Sequence, residues 1–109
     1  MAYDEGLAHR IRDALDEQPG VTEKAMFGGL SFLVHGNMSV GIIKEDLCVR
    51  LAGDDQAEAL SHAHTRPMDF TKRPMKGWIF VSPDGTADDS VLRYWVQRGV
   101  AHARTLPRK

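Results

Sequence analysis

The side chains able to do chemistry are few and widely spaced. Cys48 is the sole cysteine. A thiol becomes a nucleophile when a base or cation lowers its pKa. The residues around it, Asp46-Leu47-Cys48-Val49-Arg50, alternate polar and apolar as a strand does, so Cys48 reads as a small buried side chain. His35 is the one base expected near it, and the register worked out below puts the two on opposite sheet faces. Ser31 and Ser39 lack the strand-to-helix elbow of a serine nucleophile. His62 and His64 are two positions apart at the end of a helical segment, a spacing that chelates a metal on a strand but not along a helix. Both read as surface residues, as does His9. Asp54-Asp55 and Asp88-Asp89 stand where helices begin, and carboxylates there cap free N–H groups and complement the helix dipole. Gly28-Gly29 follows a strand, but no Lys-Ser/Thr pair or helix comes after it. It reads as a turn or bulge with positive φ rather than a phosphate loop. No acid–base pair, nucleophile or ligand set emerges. The expectation is a protein that is not an enzyme, with no catalytic residues, no metal and no cofactor.

Binding is the remaining chemistry. Arg66, Lys72, Arg73 and Lys76 form a basic segment. Such a run reads either as a strand edge guarded by Lys, Arg and Pro against aggregation or as a contact for phosphates. Charge is asymmetric along the chain: five basic against nine acidic residues over 1–54, then nine against six over 55–109. The net charge of −1 is too mild to make this a nucleic-acid binder by composition. Direct nucleic-acid contact stays open, with the C-terminal half the side an anion would meet.

These residues are positioned by a meander from Met26 to Leu51. Gly36-Asn37 lies between two apolar runs, and a glycine-first pair suits a type II′ hairpin. That register opposes Leu33 to Val40, Ser31 to Ile42 and His35 to Met38. The next turn falls at Lys44-Glu45 or Glu45-Asp46. One face then collects Leu33, Met38, Val40, Ile42, Leu47, Val49 and Leu51 as the core. The other, mixed face holds Leu30, Phe32, Val34, Ser39, Gly41, Ile43, Cys48 and Arg50, with Gly41 opposite the Phe32 ring. Phe32, Val34, Ile43 and Arg50 are thus candidate contact residues, and an exposed face of this kind is compatible with a homodimer.

Around the meander, Asp4 to Glu17 reads as a helix with Asp4 as N-cap, an apolar stripe of Leu7, Ile11, Ala14 and Leu15, and Pro19-Gly20 as its stop. Val21 to Phe27 is a lead strand. A second helix spans about Asp55 to His62. Arg66-Pro67-Met68 recurs as Arg73-Pro74-Met75, and each proline forces extended backbone before it. The segments around Phe70 and Trp78 therefore read as edge-like strands, followed by a turn at Ser82-Pro83-Asp84-Gly85. A last helix runs from Asp88 to about Arg104 on the stripe Leu92, Trp95, Val96, Gly99, Val100 and Ala103. Gly99 inside it calls for a close approach of helix to sheet. The order α-ββββ-α-ββ-α predicts an α+β domain over 1–109, with an antiparallel sheet of about six strands and helices packed on one face. At 109 residues the chain can bury one core. No run approaches the ~20 apolar residues of a membrane span, and no basic-then-apolar signal pattern opens it. A cytoplasmic protein without membrane contact is expected, in keeping with a single reduced cysteine.

Several of these motifs together resemble the N-terminal domain of the TfoX/Sxy family: Met26-Phe27-Gly28-Gly29 with Leu30-Ser31-Phe32, Gly36-x-Met38, Arg66-Pro67-Met68-x-Phe70, Met75-Lys76-Gly77-Trp78, Val81-x-Pro83 and the Leu92…Trp95-Val96 helix. The likeness covers about residues 5 to 104. It implies an α+β domain with a curved antiparallel sheet, similar to YjbR-like and secretion-chaperone folds. Family members with a second, helical C-terminal domain regulate natural competence together with the cyclic-AMP receptor protein at particular promoters. That second domain is not expected within these residues. The resemblance implies a non-enzymatic regulatory module acting by protein–protein contact, with transcription machinery as the partner class. A small-molecule-binding or chaperone-like domain is the alternative. No catalytic residue transfers from the family. The binding candidates are Arg66, Lys72, Arg73, Lys76, Phe32 and Arg50.

Overall fold

The computed structural model describes residues 3–16, 18–26, 28–68 and 76–108. Helix α1 (Glu5–Ala14) starts where Asp4 accepts the Leu7 N–H at 3.0 Å, as its position before the apolar stripe predicted. It ends at Leu15, earlier than the Glu17 expected, and Gly20 then turns the chain with φ of 79°. Strands β1 (Val21–Met26), β2 (Gly29–Val34), β3 (Asn37–Ile43) and β4 (Asp46–Arg50) form the expected antiparallel meander. A 3-10 turn (Gly53–Asp55) leads into a single turn of helix, α2 (Gln56–Ala59). That is shorter than the helix expected, and Asp55 stands at its start without making a capping hydrogen bond. β5 (Thr65–Pro67) and β6 (Trp78–Val81) complete a six-stranded sheet in the order β1-β2-β3-β4-β6-β5. Ser82 to Gly85, read as a plain turn, enters one helical turn, α3 (Pro83–Thr86). Helix α4 (Asp89–Arg104) is capped by Asp88, which accepts from the Ser90 N–H at 2.8 Å. Its six predicted apolar-stripe residues are all buried.

One strand assignment changes, and the strand expected around Phe70 lies outside the described residues. β5 lies before Phe70, which falls outside the described residues, as do Lys72 and Arg73. Pro67 is tolerated in β5 because this is an edge strand. The strand at Trp78 is interior, between β4 and β5. The proline before it, Pro74, lies upstream of the strand and removes none of its donors.

The register of the central hairpin differs in an informative way. The turn is at His35-Gly36, with φ of 50° and 84°, and Val34 pairs with Asn37. Positive φ at both positions is the type I′ geometry that suits the twist of a hairpin. Asn37 is not free to sit in the turn. It is 2% exposed, and its amide donates to the Pro107 carbonyl at 2.9 Å. Moving the two-residue turn by one position shifts the pairing by two and by itself leaves Val40 and Ile42 on the face of Leu33, as expected. A β-bulge changes the face: Leu33 pairs with Met38 but Phe32 pairs with Val40, leaving Ser39 as the extra residue. The Ser39 hydroxyl donates to the Phe32 carbonyl at 2.9 Å.

The core face is therefore Leu30, Phe32, Val34, Val40, Ile42, Leu47, Val49, Ile79 and Val81, all buried. Leu33 and Met38, expected in the core, lie half-buried on the opposite face. Gly41 pairs with Ser31, not with Phe32. Helices α1 and α4 cover the core face, with Leu7, Ile11, Trp95 and Val96 in the same cluster. The approach of α4 is as close as Gly99 predicted. A Cβ there would stand 2.5 Å from the Ser39 carbonyl oxygen and 2.7 Å from Val40 Cγ1. Arg10 fastens α1 to the start of α4 through Asp89 Oδ1 at 2.7 Å and the Thr86 carbonyl at 2.6 Å.

Candidate functional site: the outer sheet face and its basic rim

With helices on one side, the other side of the sheet is where the remaining functional candidates gather. Pairing across the strands aligns Lys24, Ser31, Gly41, Cys48, Phe80 and Arg66 in one row. Cys48, Met68 and Phe80 form a small buried cluster, with Ile43 and Trp78 packed against it. Burial, with help from the Asp46 charge, pushes the Cys48 thiol up to about 12. It is a protonated, inert thiol at neutral pH. His35 lies at the β2–β3 turn beside Gly20 and Arg104, its ring nitrogen 3.5 Å from the guanidinium.

Phe32 leaves the list of contact residues. It is 1% exposed inside the helix-covered core, because the bulge places it opposite Val40. Val34 follows it, at 0%. The half-buried apolar residues that do occupy the outer face are Leu33, Met38, Ile43 and Trp78. Sequence periodicity missed the first two because a bulge leaves no mark in the alternation of one strand.

The predicted cations separate into two settings. Arg66, on the edge strand β5, holds Asp46 at 2.6 Å and lies 4.7 Å over the Phe80 ring. Its charge is matched and its stem covers apolar surface, the guarded-edge role. Arg50 and Lys76 instead meet at the sheet's rim, in an open cleft of about 410 Å³ together with Leu51, Gly53, Asp54 and His102. Arg50 pairs across the sheet with Trp78, so it belongs to both the outer face and this rim. His102 comes from the last turn of α4. Burial first, then the Arg50 charge, lower its proton affinity, with Asp55 opposing. Nothing in the sequence joins His102 to Arg50 and Lys76; only the packing of α4 on the sheet does.

A second cleft, about 420 Å³, runs between the loop at His62 to His64 and helices α3 and α4. His62 and His64 are exposed there, as expected. His62 stacks edge-on to Trp95 at 5.1 Å and bonds Glu58 at 2.7 Å, while Arg98 holds the other Glu58 oxygen at 2.8 Å. These contacts tie α2 to α4. Among the described residues no helix is long and apolar enough to cross a membrane.

No curated protein and no solved structure matches the chain. The model of the TfoX N-terminal domain matches residues 13–103, a span that runs from the end of α1 to nearly the end of α4 and takes in the whole sheet. The chain belongs to the TfoX N-terminal domain family.

Proposed function

We propose that this domain is a cytoplasmic regulatory module that works by binding another protein through the outer face of its sheet, rather than by catalysis. One observation carries the reading. Ile43 and Trp78 pack half-buried against the Cys48–Met68–Phe80 cluster, Leu33 and Met38 are half-buried on the same sheet face nearer the β2–β3 turn, and Arg50 and Arg66 lie beside them. Half-buried apolar side chains with arginine and tryptophan beside them have the make-up of a protein interface. On the other side the sheet itself is closed off, because Gly99 brings α4 against the Ser39 backbone, and the exposed large apolar side chains there are Val91 and Tyr94 of α4. Membership of the TfoX N-terminal domain family supports a partner from the transcription machinery, and with it a role in competence or transcription control.

The test is a pull-down of the native protein from its own cells after nuclease treatment, read by mass spectrometry. The expected result is enrichment of a transcription factor or polymerase subunit. Met38→Glu with Ile43→Glu should abolish the enrichment while circular dichroism and the melting temperature stay near wild type. Recovery of the protein alone overturns the proposal. A partner retained by the double variant removes the outer face from it.

A further inference from the structure

We propose that the cleft at Arg50, Lys76 and His102 is a binding site for the terminal phosphate of a small molecule. This goes beyond the protein-contact reading and does not depend on it.

The observation behind it is a difference in how the arginines and lysines are used. Arg10, Arg12, Arg66 and Arg98 each hold a carboxylate within 2.8 Å. Arg50 and Lys76 hold none among the described residues, as is also true of Lys24, Lys44, Arg93, Arg104 and Arg108; what these two share is one cleft. Asp54 also lines it and pairs with neither. Two fixed cations therefore face one carboxylate, and His102 adds a third positive charge when protonated.

The backbone is shaped to keep Lys76 there. Leu51 N–H donates to the Gly77 carbonyl at 2.7 Å, and Gly77 has φ of 88° at a point where a Cβ would run into the Leu51 carbonyl. The Lys76 stem crosses directly over Gly53, where a Cβ would come within 2.5 Å of Cε and 3.1 Å of Cδ. Glycine at both positions lets the stem lie flat and the ammonium remain in the cleft. A planar guanidinium, an ammonium and an imidazole lining one open cleft suit a tetrahedral oxyanion, which accepts charge-assisted hydrogen bonds on several oxygens. The groups that face His102 are Arg50 from β4, Asp54 and Asp55 from the 3-10 turn, and Lys76 from the entry to β6. An added dianion would favour the imidazolium over the opposition of Arg50.

The measurement is a titration with inorganic phosphate at constant ionic strength, followed by backbone amide and His102 ring resonances, with chloride as control. Saturable shifts should appear at Gly53, Gly77 and His102, and the His102 pKa should rise. Arg50→Gln and Lys76→Gln should each weaken binding about tenfold, whereas Asp54→Asn should tighten it. A change in opposite directions cannot come from loss of folding. Shifts reproduced by chloride, or wild-type affinity in both cation variants, overturn the proposal. So does a DNA duplex that moves these resonances while phosphate does not.

Discussion

Replacing Gly99 by alanine sets helix propensity against packing, and the structure says which wins. In an exposed helix interior the change would stabilise by about 1 kcal/mol. Here the new methyl would lie 2.5 Å from the Ser39 carbonyl oxygen, 3.1 Å from its carbon and 2.7 Å from Val40 Cγ1. Val40 could turn aside; the Ser39 carbonyl could not. It belongs to the bulge, whose side chain is tied to the Phe32 carbonyl at 2.9 Å. Relief requires α4 to lift from the sheet, loosening the contacts of Trp95 and Val96, which are 2% and 0% exposed. Overpacking of this kind costs about 1–3 kcal/mol. Contact with backbone places it at or above the upper end, so the net loss is about 2 kcal/mol. The melting temperature should fall by roughly 8–12 °C for a domain of this size. Urea unfolding monitored by circular dichroism and tryptophan fluorescence gives the same quantity independently. Gln97→Gly, on the exposed side of the same helix, isolates the propensity contribution and should cost about 1 kcal/mol. Val40→Ala combined with Gly99→Ala should not restore stability, because it leaves the Ser39 carbonyl in place. A Gly99→Ala protein as stable as wild type, or more so, would refute the close approach of α4 and with it the placement of the bulge.

Stability should fall on acidification in two stages. His35 and His102 both have folded pKa values below the ordinary 6.5, chiefly through burial and then nearby arginines. The unfolded chain therefore binds more protons in that window, and stability drops as pH falls from about 6.5 toward the folded values. Glu23 and Glu58 are lowered from 4.5 by hydrogen bonds from Arg12, and from His62 and Arg98, respectively. Their contribution is present above 4.5 and lost as pH falls through the folded values. Urea midpoints against pH should show both limbs, with His102→Gln flattening the first and Glu58→Gln the second; an unchanged profile in either variant counts against that assignment. Native Cys48, with its thiol pushed up to about 12 by burial, should react with a disulfide reagent far more slowly than a free thiol and at the free-thiol rate in denaturant. Fast labelling of the folded protein would show that the Cys48–Met68–Phe80 cluster opens.

Much of the architecture was already determined by local chemistry. Asp4 and Asp88 before periodic apolar runs place the starts of α1 and α4, because a carboxylate cap acts within one turn. Gly28 marks the β1–β2 turn by its positive φ and Lys44 the β3–β4 turn, and the α4 stripe follows from a period of 3.6. Gly99 announced a close packing contact because glycine in a helix needs a compensating reason. The face of the central strands was not determined this way. Alternation in β2 and β3 tells which residues share a side within each strand, but their relative phase depends on the turn and on whether a residue is extruded. Asn37 held by Pro107, from the far end of the chain, fixes the turn, and Ser39 extruded under Gly99 decides that phase. Both are contacts between segments distant in sequence, so Phe32 moves into the core and Leu33 and Met38 move out. The candidate site divides in the same manner. The sequence marks Arg50, Arg66 and Lys76 as cations, but it cannot say that Asp46 neutralises Arg66 or that α4 delivers His102 to the other two. Charge pairing is settled by distances of a few ångströms, and those distances exist only once the helices lie on the sheet.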